Sequence, residues 1–246
     1  MPTANYPGYI YDTCIGAAPG CTPTAINVTG SAVAVSIVNA SDNARYAVYA
    51  EQGTTNSEIV LHDTCLGAAP GCVISDNVIS DTSKNCRTPT IIHNAQFVTY
   101  YCVVSGLSEV FVQNTCVGAS GSCISTATQI TSGNTGLAQN SSAAGVSDDG
   151  RFVAFNTQNA TVAGLDLGEQ MFFVSDTCNG VVPPATCTPQ TGPACLNAQG
   201  AVADADCYGE ITPDGQYVVL NSQATNLSTL PNGAALPSYI APNPVK

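Results

Sequence analysis

The sequence predicts an all-β chain of repeated four-stranded units, and three observations carry that prediction. First, one element occurs four times: YIYDTCIGAAPGC (9–21), IVLHDTCLGAAPGC (59–72), VFVQNTCVGASGSC (110–123) and FFVSDTCNGVVPPATC (172–187), with first cysteines 51, 51 and 62 residues apart. Second, another element alternates with it: ARYAVYA (44–50), AQFVTYY (95–101), DGRFVAFN (149–156) and DGQYVVLN (214–221). Third, both elements are short, rich in β-branched and aromatic residues, partly alternating, and bounded by Gly, Asp, Asn and Pro, as strands are.

The remaining strands follow from their neighbours. Asp149-Gly150 and Asp214-Gly215 are tight-turn dipeptides that join strands over 144–147 and 209–212 to the strands after them. Extended stretches AINVT, VISDNVI and STATQIT follow the cysteine pairs. That makes about four strands in every 50 to 60 residues, with no room for a long helix, and such units are the blades of a β-propeller. The expectation is one domain over 1–246 of about four blades, with repeats at 9–57, 58–108, 109–168 and 169–241. The chain begins on the third strand of a blade at Tyr9 and ends on a third-strand-like SYIA (238–241), leaving a partial blade at each end. Three arrangements accommodate this: a clasp that closes the ring, a piece of a larger propeller, or completion of the partial blades between molecules. The third generates a filament, because a head-to-tail contact that does not close propagates, and edges with few charges do little to prevent pairing.

Composition narrows the function. Charged residues are 9% of the chain, against roughly 25% in an average soluble protein. The net charge is −12 with only five Lys and Arg, which cannot neutralise a row of phosphates, so nucleic acid is excluded as a partner. The longest apolar runs, such as 32–38, are far shorter than the roughly 18 residues of a membrane-spanning helix. The first residues, MPTANYPGYIYDTC, lack the basic and apolar regions of a signal peptide.

Twelve cysteines and two histidines, His62 and His93, occur without any C-x-x-C, which argues against zinc or haem and for disulfides made in an oxidising compartment. Cys14 with Cys21, Cys65 with Cys72, Cys116 with Cys123 and Cys178 with Cys187 each bracket a short loop between the third and fourth strands of a blade. Each such staple contributes about 2 to 3 kcal/mol on the loop-entropy estimate. Cys86 with Cys102 and Cys195 with Cys207 are the economical remaining pairs, each taken to lie within one blade, although twelve cysteines leave many other pairings open.

No catalytic, cofactor-binding or metal-ligating residue is predicted. His62-Asp63 has the composition of an acid–base pair, but Tyr11, Gln113 and Ser175 take the place of His62 in the other copies, which marks a solvent-facing strand position. Asp12, Asp63 and Asp176 alternate with Asn114, as side chains that cap their own turn do. Asp148, Asp149 and Asp214 belong to turns. The pairs Asp148/Asp149, Asp166/Glu169 and Asp204/Asp206 lack the regular spacing of a dedicated calcium loop.

ITPDGQYVVLNSQATNL (211–227), VSDDGRFVAFNTQNATV (146–162) and QMFFVSDTC (170–178) resemble the WD40-like repeat of TolB-type β-propellers. In the first two repeats the turn has drifted to Ser41-Asp42-Asn43 and His93-Asn94. The resemblance implies a propeller fold but no single activity, since its members serve as periplasmic interaction modules, as non-catalytic domains of peptidases and as exported proteins. The expectation is a non-enzymatic, exported module that binds a protein partner or self-associates through its partial blades. Its rivals are a self-assembling extracellular filament subunit, and a metal-dependent propeller hydrolase or lyase. The latter needs acidic or His residues converging on the inner strands.

Overall fold

The structure is a computed structural model that describes residues 8–12, 14, 20, 22–29, 35–53, 55–119, 121–131, 141–158, 161–162, 165–166, 169–179, 187–227 and 238–246. Among these residues every regular element is a β-strand, so no described helix is long and apolar enough to cross a membrane. A hairpin of β1 (Tyr9–Asp12) and β2 (Thr24–Asn27) comes first. Three antiparallel four-stranded sheets follow. The first is β3 (Ser36–Ala40), β4 (Tyr46–Gln52), β5 (Ser57–Asp63) and β6 (Ser75–Val78). The second is β7 (Asn85–Ile91), β8 (Phe97–Val104), β9 (Leu107–Asn114) and β10 (Thr126–Gln129). The third is β11 (Ser142–Val146), β12 (Phe152–Gln158), β15 (Gln170–Asp176) and β16 (Gln190–Pro193), with a small hairpin, β13 (Thr161–Val162) and β14 (Leu165–Asp166), inserted between its middle strands. A three-stranded sheet of β17 (Cys207–Ile211), β18 (Tyr217–Ser222) and β19 (Ser238–Pro242) ends the chain. The inserted hairpin has no counterpart in the sequence reading.

The middle strands are buried on both faces, which is why their alternation is only partial: in β4 Ala47, Val48, Tyr49 and Ala50 are all buried. Each sheet has a forward face, which packs on the next sheet, and a rear face. Val48 and Leu61 of the first sheet share a core with Val98, Tyr100 and Phe111 of the second. Phe97 and Val112 of the second share one with Val153, Phe155 and Phe173 of the third, and Phe152, Ala154 and Val174 of the third with Val218 and Leu220 of the last. Fourth strands β6 and β10 are exposed along their whole length. Short, polar outer strands are one way in which sheets avoid pairing with neighbours.

A single turn design connects the first two strands of each sheet. Ala44, Ala95, Gly150 and Gly215 take left-handed φ values of 56°, 63°, 71° and 64° at equivalent positions. The Asn or Asp before each accepts the N–H two residues on: Asn43 from Arg45, Asn94 from Gln96, Asp149 from Arg151 and Asp214 from Gln216. The drift seen in the first two repeats therefore leaves the geometry intact, because an amide oxygen makes the same Asx turn as a carboxylate.

The D/N-T-C motif clamps this turn from the third strand. Asp63, Asn114 and Asp176 each accept the backbone N–H of the following cysteine at 2.8 to 3.0 Å, which is the capping read from the sequence. Thr64, Thr115 and Thr177 each donate both backbone N–H and hydroxyl to turn carbonyls, reaching Arg45, Gln96 and Arg151 respectively. The cysteines, Cys65, Cys116 and Cys178, are themselves left-handed and join Cys72, Cys123 and Cys187. In the last sheet Asn243 takes the threonine's place, donating its N–H to Gln216.

Cys86 and Cys102 are cross-strand partners on β7 and β8. Cys195 and Cys207 depart from the sequence expectation of a staple within one blade: Cys195 follows β16 and Cys207 lies on β17, so their bond ties the third sheet to the last. The Phe172 carbonyl accepts the N–H of Ala194 at 2.9 Å past the end of β16, and Cys195 follows directly, within disulfide reach of Cys207 on the next inner strand. Cys14 is disulfide-bonded, whereas Cys21 and the side chains of Asp12 and Asp166 lie outside the described residues.

Candidate functional site

The first strands of the sheets, β3, β7, β11 and β17, run side by side, and three of them carry a bulge that strengthens their twist. Their turns lean on one another in sequence. Asp42 donates its N–H to the carbonyl of His93 at 3.1 Å, and Asp148 donates its N–H to that of Pro213 at 2.8 Å. Between these, His93 Nδ1 meets Asp148 Oδ1 at 2.8 Å. These four residues hold the same place in the four turns, directly before the Asx residue.

They surround an axial cavity of about 480 Å3, walled by Ile91, Ile92, Val146 and Ile211, with Asp42, His93, Asp148 and Glu210 as its ionisable groups. The His93 and Asp148 side chains are 43% and 39% exposed, so the pair is open to a visiting group. The chemistry on offer is acceptor-rich: three carboxylates and a histidine over an apolar floor suit a cation or an N–H donor carried on an apolar stem. The sequence reading does not bring these groups together: it places Asp42 and His93 only in a drifted turn. The available signal was their shared position one residue before the Asx of the turn.

His62, Asp63, Asp149, Asp176, Asp204, Asp206 and Asp214 have structural partners. His62 is not solvent-facing: it is 4% exposed and bonds Asp76 of the neighbouring strand at 2.6 Å. Gln113 and Ser175, its equivalents, are likewise buried and bond Ser125 and Thr191 across the same strand pair. A polar cross-strand pair, rather than exposure, explains the mixed residues at this position. Asp63 and Asp176 receive two hydrogen bonds each from Arg45 and Arg151. Burial pushes both carboxyls up, but the arginine bonds and the cysteine N–H outweigh it and hold them below the ordinary value. Each lies near two cysteine sulfurs, yet those sulfurs are in disulfides and the carboxylates are neutralised, which leaves no thiolate for a metal. Asp149 binds Ser147 and Arg151, Asp204 binds Thr225, and Asp206 binds Gln170 and Tyr208, so these pairs are fixing loops. A groove of about 610 Å3 lies between the first two complete sheets and includes Asp63, Gln113 and Ser125. Asp63, Gln113 and Ser125 are already bonded within the fold.

No protein-family profile and no curated protein matches the sequence. Solved structures do match. TolB from Acinetobacter baumannii superposes with a TM-score of 0.53 at 15% identity, over 99% of this chain and 50% of that one. A structure assigned as TolB from Agrobacterium tumefaciens gives 0.53 at 16% identity, over 90% of this chain and 65% of that one. The fold is that of a TolB-like β-propeller. This TolB-like chain spans about half the length of the first relative. The tricorn protease also matches, at a TM-score of 0.49 and 15% identity, over 81% of this chain and 20% of that one.

Proposed function

We propose that this TolB-like propeller is a non-enzymatic, exported interaction module that receives a protein partner at its axial cavity. The observation that carries the reading is the meeting of Asp42, Asp148 and Glu210 around one open cavity. Such a cavity selects a lysine, arginine or amino terminus whose stem lies on Ile91, Ile92 and Ile211. Five disulfides among the described residues support an oxidising compartment, periplasmic or extracellular.

Calorimetric titration with short lysine- or arginine-bearing peptides tests this. The expected result is binding that weakens about tenfold or more in an Asp42→Asn, Glu210→Gln double variant, equivalent to about 1.4 kcal/mol. Equal binding of peptides with acetylated lysines would contradict it. Metal content and the effect of a chelator on peptide binding address the hydrolase alternative, which requires a bound ion for activity. Self-assembly is a second reading, favoured by the exposed apolar side chains of Val219 and Ile240 on the last sheet and of Tyr9 and Tyr11 on the first hairpin.

A further inference from the structure

We propose that β6 is a docking strand: an extended segment of a protein partner adds antiparallel to its free edge, with apolar side chains on Ile74 and Val78 and a lysine or arginine at Asp76. This goes beyond the preceding reading, because β6 is an outermost strand and the axial cavity lies among the innermost ones.

The repeat supplies the comparison. In each complete sheet the fourth strand pairs on one side only among the described residues. Just past its end, the N–H of Ile79, Ile130 or Ala194 reaches the carbonyl of Ile59, Val110 or Phe172 on the third strand. Bonded and unbonded pairs alternate along an antiparallel ladder. Asp76 and Val78, Ala127 and Gln129, and Thr191 and Pro193 therefore turn their backbone groups to the free edge.

The three edges are guarded differently. In β16, Pro193 and the preceding Pro189 take N–H donors off the edge. In β10 the outward residues are uncharged and small or polar, and Gln129 spends its amide on the carbonyl of Thr131 at 2.6 Å. Neither guard is present in β6. Counted from the second cysteine, Ile74 and Val78 match the two prolines, and they are 61% and 46% exposed. Natural edges ordinarily carry charge or proline at such positions. The exposure belongs to the outer position, since β10 is exposed along its whole length although a complete sheet precedes it.

An added strand satisfies the outward N–H and C=O groups of Asp76 and Val78, and the pleat sorts its side chains. Those opposite Ile74 and Val78 meet aliphatic surface. The one between them meets Asp76, whose side chain is 55% exposed and whose Oδ1 is held by His62 at 2.6 Å and Tyr49 at 3.2 Å, leaving Oδ2 for a cation. The alternate residues lie at the mouth of the groove bordered by Ser75 and Asn77, which suits small polar side chains. Charge selects the partner. The segment VISDNVIS (73–80) contains no cation and the chain has a net charge of −12, so a second copy offers nothing to Asp76, whereas a basic segment is attracted.

Fluorescence anisotropy with the labelled, end-blocked peptide Thr-Val-Thr-Lys-Thr-Val-Thr tests the proposal. The full chain carries Asp42→Asn and Glu210→Gln throughout, so that lysine capture at the axial cavity does not contribute. Binding is expected with a dissociation constant below about 1 mM, weakened about tenfold by Val78→Pro, which installs the guard found in β16. Ile74→Ser, outside the strand ladder, is expected to weaken it as well, and so is glutamate in place of the peptide's lysine. Methylation of the peptide's valine nitrogens is expected to abolish binding, and Gln129→Pro in β10 to leave it unchanged. Absence of binding, or binding indifferent to Ile74→Ser and to methylation, would overturn the proposal. Self-association of the chain that Val78→Pro abolishes would do so too, by placing a second copy on this edge.

Discussion

The second and third complete sheets solve the same turn with different residues. The sheet β7–β10 has Ala95, Gln96 and Asn114 where the sheet containing β11 and β12 has Gly150, Arg151 and Asp176. Both keep the left-handed residue, the Asx turn, the threonine clamp and the cap on the cysteine N–H. The neutral version therefore shows which contacts the fold requires, namely hydrogen bonds to backbone. The arginine–aspartate pair is an addition. The glycine has a different cause, which is the aromatic ring contributed by the preceding sheet: a Cβ on Gly150 would lie 2.4 Å from Phe97, whereas Ala95 follows a sheet whose Tyr46 remains partly exposed.

The largest effect is expected from exchanging the left-handed residues. Gly150→Ala should cost about 3 kcal/mol, since the buried ring must move and an alanine is strained at that φ. The reverse exchange, Ala95→Gly, should stay within about 1 kcal/mol, as relief of strain offsets added chain entropy. Urea unfolding midpoints separate the two, and equal costs would break the explanation by Phe97.

Next come the caps. Asp176→Ala leaves Arg151 without its partner, and because that arginine is 31% exposed the cost is expected at about 2 kcal/mol, below that of a fully buried pair. Asn114→Ala removes only a neutral cap and should cost about 1 kcal/mol. The same denaturation series measures both.

Sheets with an aspartate at the cap also differ from the neutral one in their response to acid. The folded-state values of Asp63 and Asp176 are lowered, so their stabilisation is complete above the unfolded carboxylate range near pH 4 and is lost as pH falls through the lower folded values. Stability measured from about pH 5 down to 2 should therefore fall less steeply in an Asp63→Asn, Asp176→Asn variant than in the wild type. An unchanged slope would assign the acid sensitivity elsewhere. The smallest effect is a graft: Gln96→Arg with Asn114→Asp should add less than about 1 kcal/mol, and high salt should remove it.

Much of this architecture was legible in the residues. The recurrence of D/N-T-C gave the blades, because a strand ending in a cap, a clamp and a cysteine repeats its local bonding wherever it occurs. The interchange of Asp and Asn at positions 63, 114 and 176 showed a cap rather than a charge. His62 misled because the comparison of copies registers variety and not depth: His, Gln and Ser share a buried polar pairing that is invisible without the fourth strand beside them. Cys195 misled for a related reason, since the strand boundary between β16 and β17 lies inside what the sequence presents as one segment. The axial cavity drew on Asp42, His93, Asp148 and Glu210, which are as much as 168 residues apart in the chain.

The sequence by itself determined the strands, the turns and the repeat, since each depends on contacts between residues close in the chain or in equivalent copies. Tertiary structure alone decided which faces are covered, which carboxylates meet at the axis and which disulfide crosses from one sheet to the next. These are consequences of how successive sheets stack, and stacking depends on side-chain shape across distances that no local pattern encodes.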